Sequence, residues 1–551
     1  MIKEWQTVLI EEGLLTARQL EKAMALSRER NESLIKALVR QGVVSEDKLL
    51  RAVARQQGIG FVSFREVQPE SAAVAGLTAR FVAHYRVMPV RLEANRLVLA
   101  VANPFDQAAI EDIESSQGYR VERVLACEGD ILEAIRIHYG VGSETVERIL
   151  ADQPGQAGAS QVEESHDLEY KADESSVIKL VNQLLHQAIT DRATDIHFEV
   201  YRDDILLRRR IDGILYDTMV SKNMVSLYPA IISRIKLMAG LNIVERRMPQ
   251  DGRARVNIGH YQYDLRVSVV PSVHGENVVI RILPTTMLFS LEQLGLSERN
   301  SHILTELIQL PHGIVFVTGP TGSGKSTTLY ACLTRLNTRD HKIITIEDPV
   351  EYEIKGIMQT QVNPRIDLTF ARALRSMLRH DPDIMMVGEV RDRETAEITI
   401  QTALTGHLVF STLHTNDAAS AAIRLLDMGV DPYLIASTVR AFMAQRLVRV
   451  VCEHCREWVE VGGRRCSRGK GCDQCGKTGY RGRVAISEIL QVLPEIQDLI
   501  LRRASARDIR RKAVELGMQT LAGDGWDKIA KGITTVDEVT RVTFDTLSNV
   551  E

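Results

Sequence analysis

One glycine-rich octapeptide, residues 319–326, constrains the fold of this chain more than any other part of its sequence. It follows the apolar run 314–317 and precedes a helical run, and in this setting backbone N–H groups wrap phosphates. The motif predicts a parallel α/β sheet with ATP at its edge, where Lys325 contacts the β and γ phosphates and Ser326 binds Mg²⁺. The predicted ATP-binding residues are Gly319, Pro320, Thr321, Gly322, Ser323, Gly324, Lys325, Ser326 and Thr327.

Three later apolar runs carry side chains suited to the same site. The runs 343–351 and 383–389 end in acids, and ligands bind at the carboxyl ends of strands in open α/β sheets. Glu389 is therefore a candidate for holding Mg²⁺ or its water, and Glu351 for orienting or deprotonating the attacking water, although these roles could be exchanged. In the run 406–415, either His407 or His414 could sense the γ-phosphate or hydrogen-bond the sheet.

Arginines are numerous where a neighbouring subunit could use them, and such a guanidinium stabilises the charge of a phosphoryl-transfer transition state. We expect one or two to do so, and we favour Arg210 and Arg281 among those upstream of the loop. The eight candidates are Arg208, Arg209, Arg210, Arg253, Arg266, Arg281, Arg391 and Arg446. The predicted catalytic set is Glu351, Glu389, Lys325, Arg210, Arg281 and His414.

Two CxxC pairs follow the predicted sheet. The pairs are Cys452 with Cys455 and Cys472 with Cys475, and 16 residues separate them. This spacing is typical of a closed, structural Zn²⁺ site made of four thiolates. Cys466 lies between the pairs and leaves the ligand assignment open, whereas Cys127 and Cys332 are expected to be small core residues.

The length of 551 residues indicates several domains. A repeat with an offset of 29 residues, in which a glycine ends one helix and a Thr or Ser begins the next, predicts a helical module at the N-terminus. The predicted segments are a helical docking module (1–60), a second α/β module (61–139), a flexible linker rich in Gly, Gln, Ser and Glu (140–173), an α+β domain (174–288), an ATPase core (289–450), a tetracysteine segment (451–480) and a helical C-terminal part (481–551).

Composition and charge narrow the function classes. The 68 basic and 72 acidic residues give a net charge of −4, so no nucleic-acid partner is expected. No apolar run approaches the ~20 residues that span a bilayer, and no signal-peptide pattern begins the chain. We therefore expect a cytoplasmic protein.

Four stretches, in the same order, resemble the Walker A, aspartate-box, Walker B and histidine-box motifs of the type II secretion and type IV pilus ATPase superfamily. They are residues 319–326, 346–351, 379–391 and 406–414, and with 195–199, 250–253 and Arg281 the resemblance covers about residues 175–545. It implies a homo-hexameric ring in which a PAS-like domain (174–288) and a RecA-like core clamp ATP. Arginines of the upstream domain would then reach the phosphates.

The N-terminal extension and the tetracysteine segment are similar to those of secretion and pilus-extension ATPases and argue against the shorter retraction ATPases. The resemblance implies that the N-terminal modules dock on an inner-membrane platform protein, which would place the chain peripherally at that membrane. Type II protein secretion is the preferred function, and type IV pilus assembly is the alternative. A DNA-translocating motor and a non-catalytic ATP-binding scaffold are more distant alternatives.

Two positions depart from the patterns of this superfamily. His380 stands where the Walker B stretch usually has glutamine, and activity is expected to survive this change. The N-terminal repeat resembles modules that bind cyclic di-GMP through an Arg-x-Gly pair, but the matching positions are Glu4 with Gln6 and Ser33 with Ile35. We therefore expect no cyclic di-GMP binding, and protein docking is the preferred role of this module.

Overall fold

A computed structural model describes residues 9–10, 13–30, 34–42, 44–64, 66–105, 107–140, 174–220, 223–258, 261–284, 290–461 and 464–547. The chain divides into two compact units, Met1–Leu283 and Pro284–Glu551. Residues 141–173 of the predicted linker, and Glu4, Gln6 and Ser33 of the repeat, lie outside the described residues. Among those that are described, we find no helix with both the length and the apolar character needed to cross a bilayer.

The front part of the first unit joins helices to a small sheet. Its elements are α1 (Ala17–Arg30), α2 (Leu34–Arg40), α3 (Glu46–Gln57), β1 (Gly60–Phe61), α4 (Ser71–Ala75), α5 (Ala79–Tyr85), β2 (Met88–Glu93), β3 (Arg96–Val101), α6 (Ala108–Ser116), β4 (Arg120–Leu125) and α7 (Glu128–Tyr139). The strands lie in the order β1-β4-β3-β2. Helix α3 follows Ser45 and ends at Gly58, whose φ of 66° is the left-handed conformation that glycine adopts at low cost.

The helical and α/β modules of this part share one core. Leu49 and Leu50 of α3 belong to the same buried cluster as Leu97 and Leu99 of β3. The sheet, and not the helices alone, covers the apolar face of α3. The predicted border at residue 60 therefore lies within a single hydrophobic core.

The rear part of the first unit is an α+β sandwich of helices on an antiparallel sheet. Its elements are α8 (Glu174–Thr190), β5 (Ala193–Val200), β6 (Ile205–Ile211), β7 (Ile214–Thr218), α9 (Met224–Met238), β8 (Gln250–Ile258), β9 (Tyr261–Ser272) and β10 (Gly275–Pro284). The strand order is β7-β6-β5-β10-β9-β8. Leu180 of α8 and Ile231 of α9 are fully buried against the sheet in a cluster that includes Phe198.

The second unit is built on a seven-stranded sheet. Its elements up to β16, the longest strand of that sheet, are α10 (Glu298–Ile308), β11 (Gly313–Thr318), α11 (Lys325–Leu336), β12 (Ile343–Glu347), β13 (Met358–Gln361), α12 (Phe370–Met377), β14 (Ile384–Val387), α13 (Arg393–Leu404), β15 (Leu408–Leu413), α14 (Ala418–Asp427), α15 (Pro432–Thr438) and β16 (Val439–Val451). Strands β11, β14 and β15 are buried along their whole length, as expected for parallel strands covered by helices on both faces.

The chain completes this sheet only after the cysteines. The remaining elements are β17 (Arg456–Val461), β18 (Arg464–Gly469), β19 (Tyr480–Gln491), α16 (Pro494–Leu501), α17 (Ala506–Glu515), α18 (Leu521–Ala530) and α19 (Val536–Leu547). The full order is β13-β12-β14-β15-β11-β16-β19, parallel except for the antiparallel pair β16–β19.

The predicted helical C-terminal part (481–551) therefore begins with a strand, and the sheet of the predicted ATPase core (289–450) continues after the cysteines. Residues 480–491 form a strand because their apolar side chains fill the free edge of β16, where Leu447 pairs with Ala485. A short apolar run of this kind does not distinguish strand from helix by its periodicity.

Candidate functional site

The glycine-rich loop joins β11 to α11, and β11 is an interior strand of the seven-stranded sheet, between β15 and β16. Gly319, Gly322 and Gly324 have φ angles of 152°, 79° and 87°, which L side chains rarely adopt. A Cβ at Gly319 would lie 2.6 Å from both the carbonyl oxygen of Gln445 and the hydroxyl of Ser323. The loop thus requires glycine for its conformation and for close packing.

The side chain of Lys325 hydrogen-bonds the start of the loop that precedes it. Its Nζ donates to the carbonyl oxygens of Gly319, at 2.8 Å, and Pro320, at 3.1 Å. Burial, and then the positive charge of Arg446, lower the pKa of Lys325 to about 8, although Glu389 opposes both effects. Because burial and a neighbouring positive charge disfavour the charged form of Lys325, an anionic ligand would stabilise its ammonium group.

The loop fits a Mg²⁺-bound nucleoside triphosphate in its donor groups. The hydroxyl of Ser323 is buried and, among the described residues, has no hydrogen-bond partner. The side chains of Ser326 and Thr327 are exposed at the first turn of α11. A helix N-terminus with exposed hydroxyls and no acidic residue in its first turn favours phosphate oxygens.

Glu389 and His414 meet at the same edge of the sheet as the loop. Glu389 follows β14, is 8% exposed, and has its Oε2 3.2 Å from Nε2 of His414, which follows β15. Its other oxygen forms an ion pair with Arg391. Since Glu389 also raises the pKa of Lys325, these predicted site residues share one electrostatic environment.

His407 lies at the other end of strand β15. Its Nδ1 is 2.8 Å from the carbonyl oxygen of Thr402 and 3.0 Å from the hydroxyl of Thr405. Of the two histidines that the sequence left open, His407 therefore hydrogen-bonds the end of α13, just before the strand, and His414 is the one at the loop.

Glu347, at the end of β12, was not selected from the sequence. It is 4% exposed and accepts hydrogen bonds from Thr345, at 2.6 Å, from Gln359, at 3.1 Å, and from the Tyr330 hydroxyl. Burial and the Glu347 charge raise the pKa of Tyr330. Glu351, which is partly buried, follows with its backbone N–H donating to the same hydroxyl at 3.2 Å.

The arginines of the first unit fall into two groups. A groove of about 420 Å³ is lined by Arg253, Arg266 and Arg281 together with acidic and small residues of β5, β8 and β9. Arg281 is 54% exposed and its Nε donates to Asp195 at 3.0 Å. Arg210 flanks Asp195 from the other side at 3.9 Å but does not line this groove.

The other candidate arginines have different surroundings. Arg208 pairs with Glu199 at 2.5 Å, and Arg209 forms an ion pair with Asp191. In the second unit, Arg446 is 8% exposed and donates to the carbonyl oxygen of Asn416 at 2.9 Å. These three guanidiniums are therefore occupied by groups of their own chain.

The two cysteine pairs form one cluster beyond the end of β16. The Sγ atoms of Cys452, Cys455, Cys472 and Cys475 all lie within 4.8 Å of one another. The distances between three pairs of them are 3.8, 3.9 and 3.8 Å. With Zn–S bonds of about 2.3 Å, neighbouring corners of a tetrahedron are about 3.8 Å apart, so the four sulfurs fit Zn²⁺.

Backbone groups tune the sulfurs of this cluster. Burial raises the pKa of Cys455 to about 12. At Cys475 burial acts in the same direction, but hydrogen bonds from the N–H groups of Cys472 and Gly479 and from neighbouring thiols bring its pKa down to about 7. Cys466 is buried on β18 and is not part of the cluster, and Cys332 is buried in α11, as expected for a small core residue.

Comparisons with known proteins agree with this architecture. A model of the family described as type II/IV secretion system protein matches residues 170–541, and a model of the MshEN domain matches residues 57–145. Type II secretion system protein E of Xanthomonas campestris is 42% identical over 561 residues, which cover 98% of each chain. The type IV pilus assembly ATPase PilB of Myxococcus xanthus is 39% identical over 552 residues, which cover 97% of each chain.

Among solved structures, the Legionella pneumophila ATPase DotB is similar with a TM-score of 0.50 and 25% sequence identity. The match covers 66% of this chain and 95% of that one. The family model covers most of the chain, and both relatives match it over nearly its whole length. These matches identify the family of the chain. The chain belongs to the type II/IV secretion system protein family, and it is an ATPase with a RecA-like core preceded by an MshEN domain.

Proposed function

We propose that this chain is a cytoplasmic, hexameric motor that hydrolyses ATP to power type II protein secretion through pseudopilus assembly. The observation that carries the proposal is the meeting of Lys325, Glu389 and His414 at the loop edge of the sheet. This arrangement suits binding of a triphosphate and charge stabilisation during its hydrolysis.

Each residue of the site has a proposed part. Lys325 neutralises the β and γ phosphates, while Ser326 and Glu389 hold Mg²⁺ or its water; the ion neutralises charge that develops on the phosphates. Glu351 orients or deprotonates the attacking water, and His414 senses the γ-phosphate while it contacts Glu389. The remaining loop residues, 319–324 and 327, bind the phosphates.

The α+β domain predicted over residues 174–288, which we infer to be PAS-like, supplies arginines to the site. Arg281 is the first candidate because it is half-exposed and shares a groove with Arg253 and Arg266. Arg210 is the second, from the other side of Asp195. Replacing Arg281 by alanine should lower kcat more than it weakens ATP binding; Arg255, paired with Asp264 at 2.8 Å on the same sheet, is the matched control.

Type IV pilus assembly is the second candidate, because the pilus ATPase relative matches the chain over nearly the same length. In either machine, we propose that the front of the chain docks on an inner-membrane platform protein and places the motor at the membrane. Deleting the gene in its source bacterium distinguishes them. Loss of secreted enzymes with intact surface pili supports secretion, and the reverse supports pilus assembly.

The ATP hydrolysis rate per molecule, measured over a range of concentrations, tests the motor itself. We expect this rate to rise with protein concentration, since the proposed hexamer completes the site, and Lys325→Ala to be inactive at all concentrations. A wild-type protein that binds ATP without hydrolysing it, even with its platform partner, would favour the scaffold alternative. Salt-sensitive DNA binding that stimulates hydrolysis would favour a DNA motor.

A further inference from the structure

Gln445 is a polar side chain inside the sheet, and the proposed site does not use it. It is 1% exposed on β16. Strand β16 runs parallel to β11, with Ala444 opposite Thr318, so Gln445 lies one residue beyond the last pair. That position is level with the start of the glycine-rich loop.

The side chain of Gln445 connects the glycine-rich loop to the helix that follows it. Its Nε2 donates to the carbonyl oxygen of Ser323 at 2.9 Å, and its Oε1 accepts from the hydroxyl of Thr328 at 2.7 Å. Ser323 belongs to the loop, and Thr328 is fully buried in the first turn of α11. The backbone of Gln445 also packs so closely on Gly319 that no Cβ fits between them. One residue thus contacts the beginning, the end and the following helix of the loop.

These contacts answer a requirement of any loop that binds phosphates through its backbone. When its N–H groups face the anion, some of its carbonyl groups face the protein, and each buried carbonyl needs a donor. An amide offers a donor and an acceptor on one rigid group. Because the Ser323 carbonyl only accepts, the NH₂ group must face it, and the Thr328 hydroxyl must donate to the remaining oxygen.

We infer that Gln445 is a positioning residue that holds the glycine-rich loop in its phosphate-binding conformation through Ser323 and Thr328. The inference rests on the proposed role of this loop in binding ATP. Gln445 reaches the nucleotide only through the loop, so its loss should weaken nucleotide binding more than it weakens the fold.

The test compares full-length variants in ATP binding, followed with a fluorescent ATP analogue and by competition with ATP. Thr328→Val keeps the shape of the side chain and removes one bond to Gln445, and we expect the Kd for ATP to rise about tenfold. Gln445→Met removes both bonds and should raise it further. Thr328→Ser restores the hydroxyl and should restore binding. Thr399→Val is the matched control, because Thr399 is a buried helical threonine whose hydroxyl bonds only to the Thr395 carbonyl among the described contacts.

Thermal unfolding without nucleotide separates positioning from general destabilisation. We expect Thr328→Val and Thr399→Val to unfold at similar temperatures, and only Thr328→Val to lose the stabilisation that ATP provides. If Gln445→Met does not fold, the three threonine variants decide alone. Kd values for Thr328→Val within twofold of wild type, or equal weakening in Thr399→Val, would overturn the inference.

Lys325→Ala distinguishes the two levels of the argument. If Lys325→Ala binds ATP as wild type does, the proposed site is wrong and the inference falls with it. If Lys325→Ala loses binding while Thr328→Val and Gln445→Met retain it, only the role of Gln445 is refuted.

Discussion

Serine in place of Cys455 should weaken the binding of metal to the tetracysteine cluster. The four sulfurs sit at nearly the spacing of a tetrahedral Zn²⁺ site, and such sites bind with about 10–16 kcal/mol in total. An equal share per ligand is about 3 kcal/mol, which corresponds to roughly a hundredfold loss of affinity. The serine hydroxyl does not replace a thiolate, because its proton is held too strongly at neutral pH.

Loss of the bound metal should lower the stability of the second unit. A ligand present at a hundred times its Kd stabilises the folded state by about 2.7 kcal/mol. For a unit of this size, about 2 °C of Tm accompanies each kcal/mol, so we expect a drop of about 5 °C. Differential scanning calorimetry of wild type with and without a chelator, and of Cys455→Ser, measures this change, and elemental analysis measures the zinc content.

Two other cysteines provide controls. Cys127→Ser removes a thiol in the first unit, and Cys466→Ala removes the buried thiol between the two pairs, which lies outside the cluster. Both should retain one zinc per chain. Purified wild type without stoichiometric metal, a chelator that leaves Tm unchanged, or zinc loss in Cys466→Ala with retention in Cys455→Ser would refute the reasoning.

The charges of Glu389, Lys325 and Glu538 can each be tested by a single substitution. Glu389→Gln should lower kcat for ATP hydrolysis by about 10²–10⁴-fold while ATP still binds, because the glutamine amide keeps the shape of the glutamate side chain and loses its charge. An unchanged kcat would exclude Glu389 from the chemistry. Lys325 has a pKa of about 8, so the fraction of wild-type protein with a charged ammonium, and with it the ATP affinity, should fall about fivefold between pH 8 and 9. Lys325→Arg, whose guanidinium stays charged, should show a flat profile in equilibrium binding; parallel profiles would contradict this. Glu538 is buried, and hydrogen bonds from Arg449 and Arg541 lower its pKa to about 2. The lowered pKa corresponds to about 3 kcal/mol of folding stability. This stability is present above pH 4.5 and is lost as the pH falls toward 2. The Tm difference between wild type and Glu538→Gln should therefore be constant from pH 8 to 6 and shrink below pH 5, and a difference that grows on acidification would contradict the assignment.

The sequence predicted the glycine-rich loop and its flanking strand and helix because that motif ties residue type to backbone geometry at fixed spacing. It predicted the cysteine cluster for the same reason. It did not predict α9 or β8. Helix α9 contains Pro229, which is rare inside a helix, and the residues of β8 are mostly polar, so the helical spacing in α9 and the alternation in β8 became clear only in the structure.

Side-chain grouping was harder to predict than the motifs. Arg208, Arg209 and Arg210 are adjacent in sequence, but successive residues of a strand point to opposite faces, so the three do not share a groove. Arg253 and Arg266 come together because they are paired across β8 and β9, and a sequence alone does not give that register. Gln445 was missed because its partners lie more than a hundred residues earlier in the chain.

The late position of β19 has a consequence for biosynthesis. Until residue 491 has left the ribosome, β16 keeps a free edge, although most of its residues are destined to be buried. An unpaired apolar edge of this kind is a template for association with other chains. The nascent ATPase unit should therefore depend on chaperones until late in translation, and fragments that stop between residues 451 and 480 should aggregate although they contain every residue of the proposed nucleotide site in this unit.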